Sequence, residues 1–251
     1  MTQTITQVLK WADEYDHNLP TASPRGDIND RPISAWIDHT LLKPEATPSQ
    51  IQQICSEARE YNFAAVCINP IYVHQVSQAL SGSSVKTCTV VGFPLGAVSS
   101  QTKVFETQNA IEAGAVEIDM VIPIGMLKGE QYGPVMEDIL CVVDVCHSTG
   151  AIVKVILEMA MLNRREKIIA CLLSQAAGAD FVKTSTGFGP SGASVEDVDL
   201  MRRIVGPAEK MGIKAAGGIR SLAGARAMLK AGATRLGTSA GVKIVQETLS
   251  G

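Results

Sequence analysis

Eight short apolar runs alternate with amphipathic stretches of helical period: AWIDHT (35–40), AAVCI (64–68), KTCTVVGF (86–93), VEIDMVI (116–122), IVKVILE (152–158), FVKT (181–184), IKAAGG (213–218) and RLGTS (235–239). Runs this short and this continuously apolar are strands buried on both faces, and helical connections between them imply parallel pairing. Four of the runs follow a Gly-Ala pair, at Gly114-Ala115, Gly150-Ala151, Gly178-Ala179 and Gly232-Ala233. That is the pattern of a left-handed helix C-cap running directly into a strand. Eight such units within about 215 residues predict an α/β chain closed into a single (β/α)8 TIM barrel. An open doubly wound sheet is the alternative, and it is weakened because no GxGxxG follows the first run.

The segment up to residue 33 reads as a lead-in outside the barrel, with a helix over Ile5 to Tyr15 and a turn-rich run LPTASPRGDINDRP over 19–32; the barrel then spans 34–251. Thr47, Pro48 and Gln50 supply a cap, a first-turn proline and a capping-box partner for the helix that follows the first run. With 46% hydrophobic and 19% charged residues the chain can bury a large core. A net charge of -3 gives no long-range attraction to nucleic acid or an acidic membrane, so an anionic ligand needs a local site. The six cysteines (Cys55, Cys67, Cys88, Cys141, Cys146, Cys171) form no CxxC pair and have no histidine at metal-ligand spacing. They read as free thiols of a reducing compartment. With no basic-then-apolar leader and no membrane-length apolar stretch, the expected location is the cytoplasm.

Active sites of (β/α)8 barrels lie at the C-terminal ends of the strands. Polar residues there are Asp38, Cys67, Asp119, Glu158, Lys183 and Lys214, with Lys154 deeper on its strand. A lysine inside a barrel is costly unless paired, and a neighbouring cation lowers its hold on its proton. Lys183 and Lys214 end adjacent strands, so each is expected to weaken the other's proton affinity and to make a nucleophile. The competing reading is a structural network of the lysines with Asp119 and Glu158. Period two places Glu117 and Asp119 on one side of their strand, facing inward, where Asp119 either relays protons or balances charge.

AAGGIR (215–220) ends the seventh run and RLGTSAG (235–241) the eighth, and each opens into a helix. Adjacent glycines and unpaired first-turn amides in these places suit a phosphate, with Gly217, Gly218, Gly237 and Ser239 as ligands. Ordinary turn chemistry is the alternative. His17 lies in the lead-in, His74 and His147 on helices, and His39 beside Asp38. No histidine base, metal or cofactor is expected. Cys67 is read either as a pocket-lining thiol or as a core cysteine.

From about Ser34 to Leu249 the chain resembles the deoxyribose-phosphate aldolase family, through IDHTLLKP, VCINP, VGFPLG, EIDMVI, KVILE, VKTSTGF, KAAGGIR and GTSAG. The resemblance implies a class I Schiff-base lyase that cleaves 2-deoxy-D-ribose 5-phosphate reversibly to D-glyceraldehyde 3-phosphate and acetaldehyde. Under it Lys183 forms the imine, Lys214 tunes and assists proton transfer, and Asp119 activates a catalytic water. Asp38, Thr40, Cys67, Lys154 and Thr186 are the expected substrate contacts, and Gly187, Gly217, Gly218, Gly237 and Ser239 the phosphate contacts. Phe188 stands where some members carry a lysine after TSTG, so a less cationic phosphate site and tolerance of unphosphorylated sugars are expected. The chain ends at Gly251 without the tyrosine-bearing tail of some members, so a tail-assisted proton shuttle is not expected. The expected partners are small phosphorylated sugars and aldehydes, without nucleic acid or membrane, and the family implies a homo-oligomer, a dimer. A sugar-phosphate isomerase would share the Gly-rich loops, and a non-catalytic metabolite-binding barrel would bind without turnover.

Overall fold

Eight parallel strands close on themselves in chain order in a computed structural model that describes residues 4–22 and 30–249. They are β1 (Ile37–Leu41), β2 (Ala65–Ile68), β3 (Lys86–Val91), β4 (Glu117–Val121), β5 (Ile152–Ile156), β6 (Phe181–Lys183), β7 (Gly212–Ala216) and β8 (Arg235–Thr238). Six fall wholly within the apolar runs, while β1 runs one residue past its run, to Leu41, and β7 starts one residue before its run, at Gly212, so the short, continuously apolar signal located the sheet. The turn-rich run over 19–32 lies in part outside the described residues, as do the last two residues of the chain.

The helices are α1 (Ile5–His17), α2 (Pro48–Tyr61), α3 (Val73–Leu80), α4 (Ser100–Glu112), α5 (Ile124–Lys128), α6 (Tyr132–Thr149), α7 (Arg164–Ala176), α8 (Val195–Val205), α9 (Leu222–Ala231) and α10 (Gly241–Leu249). Thr47 caps α2 as its sequence predicts: its hydroxyl accepts from the Gln50 amide, while the Gln50 side chain accepts from the Thr47 amide. The four Gly-Ala glycines all have positive φ, between 77° and 117°, and each turns a helix into the next strand. The helix α1 lies against α7, with Val8 and Ala12 buried and Asp13 and Asp16 paired to Arg165 and Arg164.

Outward-facing Val and Ile side chains of the strands fill the layer beneath the helices. The barrel interior is different. Around β1 to β3 a small apolar cluster of Leu42, Ala65, Cys67, Cys88 and Val90, with Phe93, closes one side. The other side is ionic, and the register explains why: Asp119 pairs with Lys154, Lys183 with Lys214, and Lys214 with Arg235 across neighbouring strands. Parallel pairing in register aims such neighbours into the same interior layer.

Candidate active site

Asp119 is the hub of the interior. Its carboxylate is completely buried; Oδ1 accepts from Lys154 Nζ at 2.8 Å, and Oδ2 accepts from both Lys183 Nζ and Lys214 Nζ at 2.7 Å. Lys214 Nζ also lies 2.5 Å from Asp38 Oδ2, and Lys154 Nζ lies 2.8 Å from Glu117 Oε2. Below these, Arg235 Nη1 reaches Asp38 Oδ1 at 2.7 Å and Glu117 Oε2 at 3.0 Å. Three carboxylates (Asp38, Glu117, Asp119) therefore face four basic groups (Lys154, Lys183, Lys214, Arg235).

Burial would push the Asp119 carboxyl up, but Lys154, Lys183 and Lys214 hold it well below the usual carboxylate range. Asp38 is likewise opposed by burial and held low by Arg235 and Lys214. The expectation that Lys183 and Lys214 weaken each other's proton affinity needs correction for Lys214. Burial would indeed lower it, but Asp119 and Asp38 outweigh burial and hold its ammonium above the ordinary lysine range. Lys154 is raised in the same way, against burial, by Asp119, Cys88 and Glu117.

A cleft of about 420 Å³ opens at the C-terminal face. Of the three lysines only Lys183 lines it, ending β6 at the cleft floor. Thr40, Thr186, Gly187, Gly217, Gly218, Gly237 and Ser239 line the same cleft. The sequence expectation for the phosphate loops thus concerns residues that the fold brings together. Gly217 and Gly218 have φ of 86° and 80°, and a Cβ on Gly192 would lie 2.2 Å from the Gly217 carbonyl oxygen, so two loops approach through backbone alone. A larger hollow, about 680 Å³, lies at the opposite end beside the strand starts Ile152, Phe181, Gly212 and Arg235, away from Lys183.

Asp38, Cys67 and Lys154, expected as substrate contacts, are completely buried below the cleft and do not line it. Lys154 is taken up by Glu117, Asp119 and the Cys88 sulfur, so contact with a ligand would require displacing these partners. His39 faces outward to Glu57 on α2, with Nε2 2.6 Å from the carboxylate, and not into the cleft. Cys67, Cys88 and Asp119 bring two sulfurs and an oxygen within 4.8 Å of one another. The Lys154 ammonium, 3.3 Å from Cys88 Sγ and 2.8 Å from Asp119 Oδ1, already takes the place a cation would need.

Sequence reasoning missed Lys43 and Arg220, two exposed cations that line the cleft beside Ser239 and Phe188. Both sit in loops, where only chain closure fixes direction. Phe188 itself is half-exposed and meets Phe93 edge-to-face at 5.5 Å. Glu158 was noted at its strand end but given no site role. It has a left-handed φ of 54°, is buried, and accepts from both the amide and the hydroxyl of Thr186. A buried carboxylate in a strained backbone conformation that grips a cleft residue is a positioning arrangement.

Fold and site together define a (β/α)8 barrel protein built around one lysine that is accessible from the C-terminal mouth and held by a buried carboxylate. Residues 33–247 match the family model described as DeoC/LacD family aldolase. A deoxyribose-phosphate aldolase of Streptococcus gordonii is 57% identical over 87% of this chain and 98% of its own length. One from Caldanaerobacter subterraneus subsp. tengcongensis is 58% identical over 86% of this chain and 93% of its own. The tetrameric deoxyribose phosphate aldolase of Aeropyrum pernix superposes with a TM-score of 0.81 at 33% identity, covering 99% of both chains. The chain belongs to the DeoC/LacD aldolase family.

Proposed function

We propose that the protein is a class I lyase that cleaves 2-deoxy-D-ribose 5-phosphate reversibly to D-glyceraldehyde 3-phosphate and acetaldehyde, through an imine on Lys183. The observation that carries this reading is that Lys183, alone of the three buried lysines, reaches the cleft while Asp119 holds its Nζ at 2.7 Å. A nucleophile needs both access and a fixed position.

The free amine of Lys183 adds to the open-chain aldehyde, and loss of water gives the imine, which takes up the electron pair of the C2–C3 bond as it breaks. The proton of the 3-hydroxyl leaves to a water held by the Lys214–Asp119 pair and is returned from it to the enamine carbon, before hydrolysis frees acetaldehyde and Lys183. Asp119 has no exposed surface, so its part is played through the ammonium groups it holds. Gly187, Gly217, Gly218, Gly237 and Ser239 are the proposed phosphate ligands, with Lys43 and Arg220 supplying charge at the rim. Thr40 and Thr186, which line the same cleft, are the proposed sugar contacts.

The reading extends to a cytoplasmic homo-oligomer, consistent with the absence, among the described residues, of any helix long and apolar enough to cross a membrane. A dimer is the family expectation, and the Aeropyrum pernix relative is a tetramer. Release of acetaldehyde from 2-deoxyribose 5-phosphate, followed with a coupled dehydrogenase, tests the function. The Lys183→Met variant is expected to lose at least about 10³-fold in rate. Turnover that survives this substitution would rule out the imine route.

A further inference from the structure

We propose that Arg235, at the start of β8 and beneath the cleft, is a positioning residue of the reaction that supplies the surplus positive charge under which Lys183 attacks as the free amine. The inference rests on the imine reading given above.

Each strand sends at least one titratable side chain into the barrel: Asp38 from β1, Cys67 from β2, Cys88 from β3, Glu117 and Asp119 from β4, Lys154 from β5, Lys183 from β6, Lys214 from β7 and Arg235 from β8. The three lysines converge on Asp119, and Asp38 and Glu117 are also met from below. Arg235 meets both of them: Nη1 bonds Asp38 Oδ1 at 2.7 Å and Glu117 Oε2 at 3.0 Å, and Nη2 bonds Glu117 Oε1 at 3.3 Å. These two carboxylates are the second partners of Lys214 and Lys154. Arg235 therefore touches no cleft residue, yet it is one contact removed from both ammonium groups that share Asp119 with Lys183.

The lower end of the barrel is built to keep the guanidinium there. Its carbon lies 5.6 Å from the centre of the Phe181 ring, and a Cβ on Gly212 would come within 2.2 Å of that ring. Glycine at 212 thus leaves room for Phe181 beside Arg235. The charged groups that line the hollow underneath are Arg31, Asp180, Glu209 and Lys210; Asp180 is held by His147 at 3.0 Å. None of these is paired with Arg235 by hydrogen bond or ion pair among the described residues, so its charge acts upward on the Asp38 and Glu117 pair. A guanidinium keeps its proton throughout the working pH range, so the surplus is fixed by the fold and not by pH.

Counting charge gives the sign of the effect. With Arg235 present, four basic groups face three carboxylates and one ammonium proton is in excess. Without it three face three, and the surplus positive charge around Asp119 is gone. Removing Glu117 instead raises the surplus to two, with the opposite effect.

The test is the rate of borohydride trapping of acetaldehyde on Lys183, read by mass spectrometry in the full-length protein from about pH 5 to about pH 10. In Arg235→Gln the pH of half-maximal trapping is expected to rise by about one unit, making trapping roughly tenfold slower below it. Arg235→Lys, which keeps the charge, is expected to return the midpoint to within a few tenths of a unit of the unaltered protein. Glu117→Gln is expected to move it downward. A folded Arg235→Gln variant with an unmoved midpoint would overturn the assignment, since a purely structural role changes stability without moving the limb. Should Arg235→Gln fail to fold, an unmoved or raised midpoint in Glu117→Gln overturns it equally. Failure to trap any acetaldehyde on Lys183 in the unaltered protein would instead remove the imine reading itself.

Discussion

Replacing Asp119 with asparagine removes one negative charge from the point where three lysines meet, and the cost follows from the geometry. Oδ1 and Oδ2 accept from Lys154, Lys183 and Lys214 at 2.8, 2.7 and 2.7 Å, and the residue has no exposed surface. Breaking a buried pair by removing one partner costs about 3–5 kcal/mol, because the other charge is left uncompensated. The loss has a ceiling, since a stranded lysine can shed its proton at about 1.4 kcal/mol per pH unit below its ordinary value. For a chain of this size, about 4 kcal/mol lowers Tm by roughly 8–16 °C. The carboxyl is held well below its unfolded value, so its stabilisation is fully present above roughly pH 4 and is lost as pH falls through the folded value. The Asp119→Asn deficit should therefore be full at neutral pH. It should shrink in acid, where the unaltered protein also loses the interaction, and in alkali, where the stranded lysines discharge. Thermal unfolding followed by circular dichroism from about pH 3 to about pH 10 reads both limbs. A Tm within about 2 °C of the unaltered protein at neutral pH would refute the claim that Asp119 balances ionised lysines.

Three further expectations concern the cleft. Phe188→Lys adds a cation beside Lys43 and Arg220, and should raise the kcat/KM preference for 2-deoxyribose 5-phosphate over 2-deoxyribose by up to roughly fivefold; an unchanged ratio would show that Phe188 does not set phosphate selectivity. Glu158→Ala frees the amide and hydroxyl of Thr186, and steady-state kinetics should show KM for the phosphorylated sugar rising about tenfold while kcat stays within about twofold. A fall in kcat at constant KM would place Glu158 in the chemistry instead. Gly192→Ala drives a Cβ against the Gly217 carbonyl, where backbone cannot yield as a side chain end would, and should destabilise by about 1–3 kcal/mol in urea unfolding, with a raised KM. A neutral result would mean the two loops have room to separate.

The strands and their Gly-Ala entrances were legible in the sequence because both are local signals: a short, continuously apolar run, and a glycine with positive φ at a helix end. Lys183, Lys214 and Asp119 were legible because a polar side chain at the end of an otherwise apolar strand has few places to go but the barrel. Arg235 escaped the same filter because it begins its strand instead of ending it, although period two from Gly237 places it inward. The strand-end rule finds the working face and overlooks the charges that support it from below. Lys43 and Arg220 lie inside IDHTLLKP and AAGGIR, but their approach to the cleft depends on how loops after β1 and β7 fold toward each other across the mouth. Mutual repulsion between Lys183 and Lys214 was a sound inference from two neighbouring cations, but it left out the number of carboxylates. Asp119 and Asp38 both hold the Lys214 ammonium, and together they outweigh the burial that would lower it.

The central claim is that Lys183, and not the equally buried Lys154 or Lys214, forms the covalent bond to substrate. Incubating the protein with 2-deoxyribose 5-phosphate and borohydride, then locating the reduced adduct by peptide mass spectrometry, tests it directly. A single two-carbon adduct or its sugar precursor is expected on Lys183, and none on Lys154 or Lys214. An adduct on either of those two, or full turnover with no adduct on any lysine, would contradict it.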